Sequence, residues 1–384
     1  MAITLAGFLS FLIALCFAEV GSQFNTTGGA YIYAKEAFGD FVGFEVGWMT
    51  CCVAVISWAA LANGFTKVLA HFVPAVGSGW IQTATIVGLM AALSALNLRG
   101  AKKGAMLSTV MSVAKLVPII IFVLVGIFYI DTANFSDFAP NGFAPLAETT
   151  LLLLYAFVGF ETLVVPAGEM DNPQRSVPIA MMIVMTVVSV VYLAVLTVAL
   201  GTFSDIAGHG NPVAAASEQF MGAVGGTLVA IGIVISVFGT NAGAALVSPR
   251  RFYALAERGD LPPILARVNP KTGAPTYAIL TLFGLSALLA LSGTFKELAI
   301  LGVMARFLQY IPTCLAVLVL RKRDSKGMGF RLPLGSVIPI LTVLICVWLM
   351  VNSKPKPLIY GALALLIGLP LFALARIRKT KESS

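Results

Sequence analysis

The stretch from Leu151 to Pro178, LLLLYAFVGFETLVVPAGEMDNPQRSVP, sets Gly159 and Glu161 in an otherwise apolar run. An acid in such a run needs a partner and faces a bundle interior or a cavity, so one reading of Glu161 is a structural hydrogen bond between helices. The other reading is chemical. Gly159 relaxes the helical preference, and a helix broken there exposes backbone carbonyls and amides able to hold the ammonium and carboxylate of a zwitterion. On that reading Tyr155, Ala156, Phe157, Val158, Gly159, Phe160 and Glu161 line a binding site, with Tyr155, Phe157 and Phe160 covering it or gripping a side chain.

Three other places carry ionisable groups in apolar surroundings. Lys115 lies three residues before Pro118 and must find an acceptor, snorkel or become neutral, which suits a proton-coupling or cation-surrogate role as well as structural pairing. Arg306 and Tyr310 are four residues apart on one helix face, and the arginine needs carbonyls or a carboxylate. Glu45 stands near the start of an apolar span; like Arg306 and Tyr310 it reads first as structural or gating. Signatures of an enzyme are missing. His71 and His209 fall in loops without catalytic spacing, the cysteines form no CxxC pair, and Gly28 and Gly29 lack the pattern of a nucleotide loop, so neither a metal nor a cofactor is implied.

The elements that must position these groups are membrane helices. Of 384 residues, 59% are apolar and 11% charged, against about 25% charged in a soluble domain. The apolar blocks have the length that crosses a hydrocarbon core of about 30 Å, and stretches such as 119–126 and 181–191 lack the alternation of a membrane strand. The predicted spans, about eleven, are 3–20, 41–66, 80–98, 107–130, 147–167, 178–202, 225–247, 276–292, 297–319, 332–351 and 357–375. Between the first two, residues 19–40 suggest a short interfacial helix. Residues 131–146, 203–224 and 248–275 form the longer loops. Cys16, Cys51, Cys52, Cys314 and Cys346 lie inside spans and read as small packing residues.

Basic residues test that count, because each helix gained or lost flips every later loop. With the C-terminus in the cytoplasm, only Lys67, Lys296, Lys354 and Lys356 of the 25 basic residues fall on the outer face, and Lys115 and Arg306 fall within spans. The net charge of +8 then meets anionic lipid headgroups and calls for no nucleic acid. Asn134 begins an outward-facing glycosylation triplet, and the one at Asn25 would be cytoplasmic and unused.

The segments FAEVGSQFNTTGGAYIYAKEAFGDFVGFEVGW (Phe17 to Trp48), YAFVGFETLVVPAGEMDNPQRSVPIA (Tyr155 to Ala180) and SPRRFYALAERGDLPP (Ser248 to Pro263) make the chain resemble the amino acid/polyamine/organocation transporter family over essentially its whole length. The resemblance implies an all-α membrane protein with two inverted five-helix repeats and two additional C-terminal helices. One transporter domain then covers 1–376, with an incomplete first repeat in 1–130, a second repeat in 147–319, additional helices in 332–375 and a cytoplasmic tail in 377–384. The family's first helix has no counterpart in the chain as written, which implies a start assigned too far downstream or a truncation, and a groove where that helix belongs. The resemblance further implies that Tyr155 and Glu161 match the broken-helix aromatic and acid, that Lys115 matches the fifth-helix lysine of proton-coupled relatives, and that Ala54, Ser57, Ser236 and Asn241 flank the pocket. The expected function is secondary active transport of amino acids across the bacterial inner membrane by alternating access, as proton-coupled import or as exchange. The alternatives are polyamine or organocation antiport and a non-transporting membrane interaction protein. Expected partners are an amino acid, protons and membrane lipids, with the oligomeric state open.

Overall fold

In hydrocarbon a chain must satisfy every backbone N–H and C=O internally, which long helices do by themselves. The computed structural model is accordingly helical, with no strand among the described residues, which are 1–384 except 25, 27, 137–141, 166, 168–169, 207–208, 210, 324–328 and 384. The triplet at Asn25 therefore begins outside the described residues.

The helices are α1 (Ala2–Gly21), α2 (Ala30–Phe38), α3 (Asp40–Leu69), α4 (Gly79–Leu98), α5 (Ala101–Ala114), α6 (Leu116–Gly126), α7 (Leu146–Phe157), α8 (Pro173–Thr202), α9 (Pro212–Val247), α10 (Pro249–Glu257), α11 (Thr276–Ala290), α12 (Phe295–Arg323), α13 (Val337–Val351) and α14 (Pro355–Ser383). Eight runs are long and apolar enough to cross a membrane: α1, α3, α4, α5 with α6, α8, α9 with α10, α12 and α14. Helices α11 and α13 are apolar but shorter, and α7 stops short at its break. The chain is a multi-pass integral membrane protein.

Helix α3 is the central post, packed against α12, α11, α9, α14 and α2, while α1 packs against α8, α7 and α12. The two groups meet along α12. Its buried face carries Ala299, Gly302, Val303, Arg306, Gln309, Tyr310 and Thr313, a stripe at helical spacing. Phe17, Phe44, Met49, Trp58 and Phe307 fill the interior with almost no exposed surface.

Several elements run past the apolar blocks that announced them. Residues 212–221, expected as loop, are helical: Pro212 starts α9 at a position where its missing N–H costs nothing. Gly222, at φ 68° and ψ −174°, then interrupts that helix. Part of the expected loop 248–275 is α10, and residues 377–383, expected as a tail, continue α14. Hydropathy marks only the apolar part of a helix: α10 and the end of α14 are charged, and 212–221 is set apart from the apolar block of α9 by Gly222, Gly225 and Gly226. The fourth span is split at Lys115, because Pro118 has no N–H for the Ala114 carbonyl.

Small residues set the closest helix contacts. Helices α5 and α6 lie along α9, where Gly239 faces Met111; a Cβ at Gly239 would stand 2.5 Å from the Met111 Cβ. Such an approach lets helices gain van der Waals contact in lipid, where no hydrophobic force drives them together. Gly239→Leu should therefore lower stability by about 1–3 kcal/mol. Gly284→Ala, at a position with open space around the new Cβ, should change it by less than about 1 kcal/mol. Thermal unfolding of the two variants in detergent checks the contrast.

Candidate functional site

Helix α7 ends at Phe157. Val158 is extended at φ −70° and ψ 156°, Gly159 is left-handed at φ 114° and ψ −20°, and Phe160–Thr162 makes one turn of 3-10 helix. A side chain at position 159 would have room for its Cβ, so what selects glycine there is the backbone angle. The break is capped by its own residues: Glu161 Oε2 accepts the Gly159 N–H at 2.8 Å, and the Thr162 hydroxyl donates to the Gly159 carbonyl at 2.6 Å. Tyr192 on α8 donates to the Ala156 carbonyl at 2.9 Å. Among the described residues the Val158 N–H has no backbone acceptor.

Glu161 is the hub. Its Oε1 accepts from Arg306 Nε at 3.0 Å and its Oε2 from the Tyr310 hydroxyl at 3.0 Å, both from α12. Arg306 also donates to the Gly302 carbonyl at 3.2 Å, satisfying a second nitrogen. Glu161, Arg306 and Tyr310 are all buried, at 6%, 4% and 2% exposure. The structural reading of Glu161 and the broken-helix reading therefore describe one object: the ion pair holds the break against α12.

Aromatic rings form a layer beside this hub. Phe160 stacks on Tyr310 with centroids 5.7 Å apart, and Phe17 meets both edge-on at 6.0 and 5.7 Å. Phe157 packs edge-on against Tyr192. Tyr155 points the other way, donating to the Ser57 carbonyl on α3 at 3.3 Å and meeting Phe295 edge-on.

Of the flanking residues expected on α3 and α9, Ala54 and Asn241 are buried. The Ser57 hydroxyl is buried without a partner. Asn241 bridges the two helices by donating to the Leu61 carbonyl at 3.0 Å, and its own carbonyl oxygen has no partner. Ser236 lies five residues earlier on α9, where its carbonyl accepts from Thr240. Lys115 is half-buried at the joint of α5 and α6 and makes no ion pair among the described residues, so the structure does not bring it to Glu161. Glu45 is buried with both oxygens unpartnered.

Two features lie away from the hub. A cavity of about 560 Å³ opens between the ends of α3 and α9, lined by Lys67, His71, His209, Asn211, Glu218 and Thr227 among others, and by none of the expected site residues. It brings together the two histidines that sit in separate loops of the sequence. At the opposite, arginine-rich end, Glu19 pairs with Arg321 and accepts the Leu332 N–H at 2.8 Å. There Asp260 also takes the Tyr31 hydroxyl at 2.9 Å and Lys379 at 2.6 Å. Burial and the Asp260 carboxylate together raise the Tyr31 phenol above its ordinary value, so it stays a donor at neutral pH.

Sequence reasoning missed these ties, and it placed Arg251 among loop cations although its guanidinium donates to the Thr50 carbonyl on α3 at 3.2 Å. Gln309, buried and donating to the Met49 carbonyl at 3.3 Å, was missed too; its place three residues after Arg306 was the available signal.

The sequence model of the amino acid permease family matches residues 1–370. A serine/threonine exchanger of Bacillus subtilis (strain 168) is 30% identical over 379 residues, covering 95% of this chain and 85% of that protein. A methylthioribose transporter of the same organism is 29% identical, covering 90% and 78%, and its branched-chain amino acid permease is 26% identical, covering 96% and 83%.

Removing one member of a buried pair strands the other. Glu161→Gln or Arg306→Gln alone should cost about 3–5 kcal/mol of stability, and the double variant should recover part of that loss. Thermal unfolding of the three variants, combined as a double-mutant cycle, measures the coupling.

Proposed function

Because this chain belongs to the amino acid permease family, we propose that it carries neutral amino acids across the bacterial cytoplasmic membrane by alternating access, as a proton-coupled importer or an exchanger. The observation that carries the reading is the break in α7 clamped to α12 through Glu161, Arg306 and Tyr310. The unwound Val158, whose N–H has no backbone acceptor among the described residues, offers a donor to the carboxylate shared by all amino acids, while both Gly159 groups are taken up by Glu161 and Thr162. Tyr155 on α7, Ser57 on α3 and Asn241 on α9 line the approach.

The substrate class follows from charge. Glu161 is already matched by Arg306, so it has no spare negative charge for a cationic side chain or a polyamine. Two relatives whose names speak of serine/threonine exchange and branched-chain amino acids support a neutral substrate.

Alternating access requires one end of the bundle to close while the other opens. The arginine-rich end is drawn together by Glu19 with Arg321 and by Asp260 with Tyr31 and Lys379, and we assign it to the cytoplasm together with the C-terminus. The cavity beside Lys67 and Glu218 lies at the other end. Lys115 carries the proposed coupling role: a cation at a helix joint, without a counter-ion, changes its energy when neighbouring helices move.

Proteoliposomes loaded with unlabelled serine, threonine or leucine should take up the same labelled amino acids by exchange, and should ignore labelled arginine and putrescine. Correctly folded protein that exchanges no neutral amino acid refutes the reading. Gly159→Val forces a β-branched residue into left-handed backbone at a local cost of about 1–3 kcal/mol, and is expected to abolish exchange while the protein still inserts and elutes as a monodisperse species. Lys115→Gln should leave exchange in place and remove the response of uptake to an imposed proton gradient.

A further inference from the structure

Glu45 carries a buried carboxyl group that the proposed transport cycle leaves unused. It sits in the first third of α3, 8% exposed, and neither oxygen has a hydrogen-bond partner among the described residues. What it faces is the bare backbone of α14: a Cβ at Gly368 would stand 2.5 and 2.6 Å from its two oxygens. The seam is tightly made on both sides of that contact. Trp48 donates its indole N–H to the Ala364 carbonyl at 2.8 Å, and Phe44 and Phe41 pack on Phe372, each with centroids 5.3 Å apart.

The charged groups on the elements around Glu45 are engaged elsewhere. On α2, Lys35 pairs with Asp40 at 3.0 Å and Glu36 is exposed. On α14, Lys379 pairs with Asp260, Arg378 donates to the Leu261 carbonyl, and exposed Arg376 acts with Lys379 on Asp40. On α10, Arg251 donates to Thr50, and on α12, Arg306 holds Glu161 while neutral Gln309 donates to Met49. On α3 itself the neighbouring titratable side chain is the Cys52 thiol. The Glu45 oxygens are closed off from solvent and face no counter-charge among the described residues, so a carboxylate at this seam is costly whereas a neutral carboxyl can be buried there.

The geometry points to Glu45 as a proton-binding residue: protonated, it lets α3 and α14 close on one another through Gly368, and on losing its proton it must be hydrated, which parts the seam. This rests on the transport reading only for its consequence, a pH dependence of the conformational cycle. Proton binding itself is independent of any substrate. The site is distinct from Lys115, which lies on another helix pair.

Infrared titration of the purified full chain, beside Glu45→Gln, tests the binding, and the pH profile of exchange in proteoliposomes tests its consequence. The expected result is a protonated-carboxyl band at neutral pH that titrates away on the alkaline side and is missing from Glu45→Gln. Exchange should fall several-fold over the same alkaline range in the unmodified protein and stay level in the variant, with Glu45→Asp restoring the fall. A band unchanged in Glu45→Gln, or no band at neutral pH, overturns the proposal. The band with indistinguishable pH profiles overturns the conformational role. If neither protein exchanges any amino acid while the band behaves as expected, the transport reading fails and the proton site stands.

Discussion

Arg306 is a permanent charge near the middle of a helix that an apolar bundle surrounds, and its presence constrains the elements that touch it. A guanidinium so placed requires acceptors in fixed directions, since water is not there to supply them. One acceptor comes from its own helix, at Gly302, and the other from Glu161. Glu161 can reach it because α7 has stopped being a helix at Phe157, four residues earlier, and the same carboxylate then caps the amide of Gly159. The break, the pair and the position of α7 against α12 therefore form one arrangement.

Around that arrangement the fold separates polar work from packing work. Close contacts between helices rest on glycines such as Gly239 and Gly368, which bring backbone near to neighbouring side chains. Polar ties are concentrated at the break and at the arginine-rich end, where Tyr31, Asp260 and Lys379 join α2, the segment after α10 and the end of α14. The first kind of contact holds whatever the charges do. At the arginine-rich end the second kind ties a buried carboxylate, Glu19 or Asp260, to a more exposed cation, Arg321 or Lys379, so opening that end must hydrate the carboxylate.

Much of the helical layout was legible because a membrane span is a compositional fact: about 20 apolar residues in a row. The break was visible because a glycine two residues before an acid is unusual in such a run. Pairings were not legible. Glu161 and Arg306 are 145 residues apart, and in helices apolar on every side no periodicity reveals which face looks inward. Arg251 was misplaced for the same reason: a cation next to a loop reads as loop until the chain turns it back against Thr50. The start of α9 escaped because Gly222, Gly225 and Gly226 set it apart from the apolar block, and the end of α14 because it is charged; α14 continues where Lys379 and Arg378 find acceptors at Asp260 and Leu261.

This distribution bears on how such a bundle can have two states. Rearranging a packed apolar seam disturbs many small contacts, whereas moving a short unwound segment disturbs few backbone hydrogen bonds, since the break has already given them up. At Gly159 the backbone can turn with the least steric opposition of any residue type. On the proposed reading, a ligand bound at the break would gain most in the conformation that presents its free groups best, and that difference in affinity would shift the population. On that reading the clamp from Glu161 to α12 would transmit the shift, because α12 touches both the α1 group and the α3 group of helices. A free-energy change at the break would then be felt at the C-terminal end of α12, where Arg321 and Arg323 hold α1 and α2.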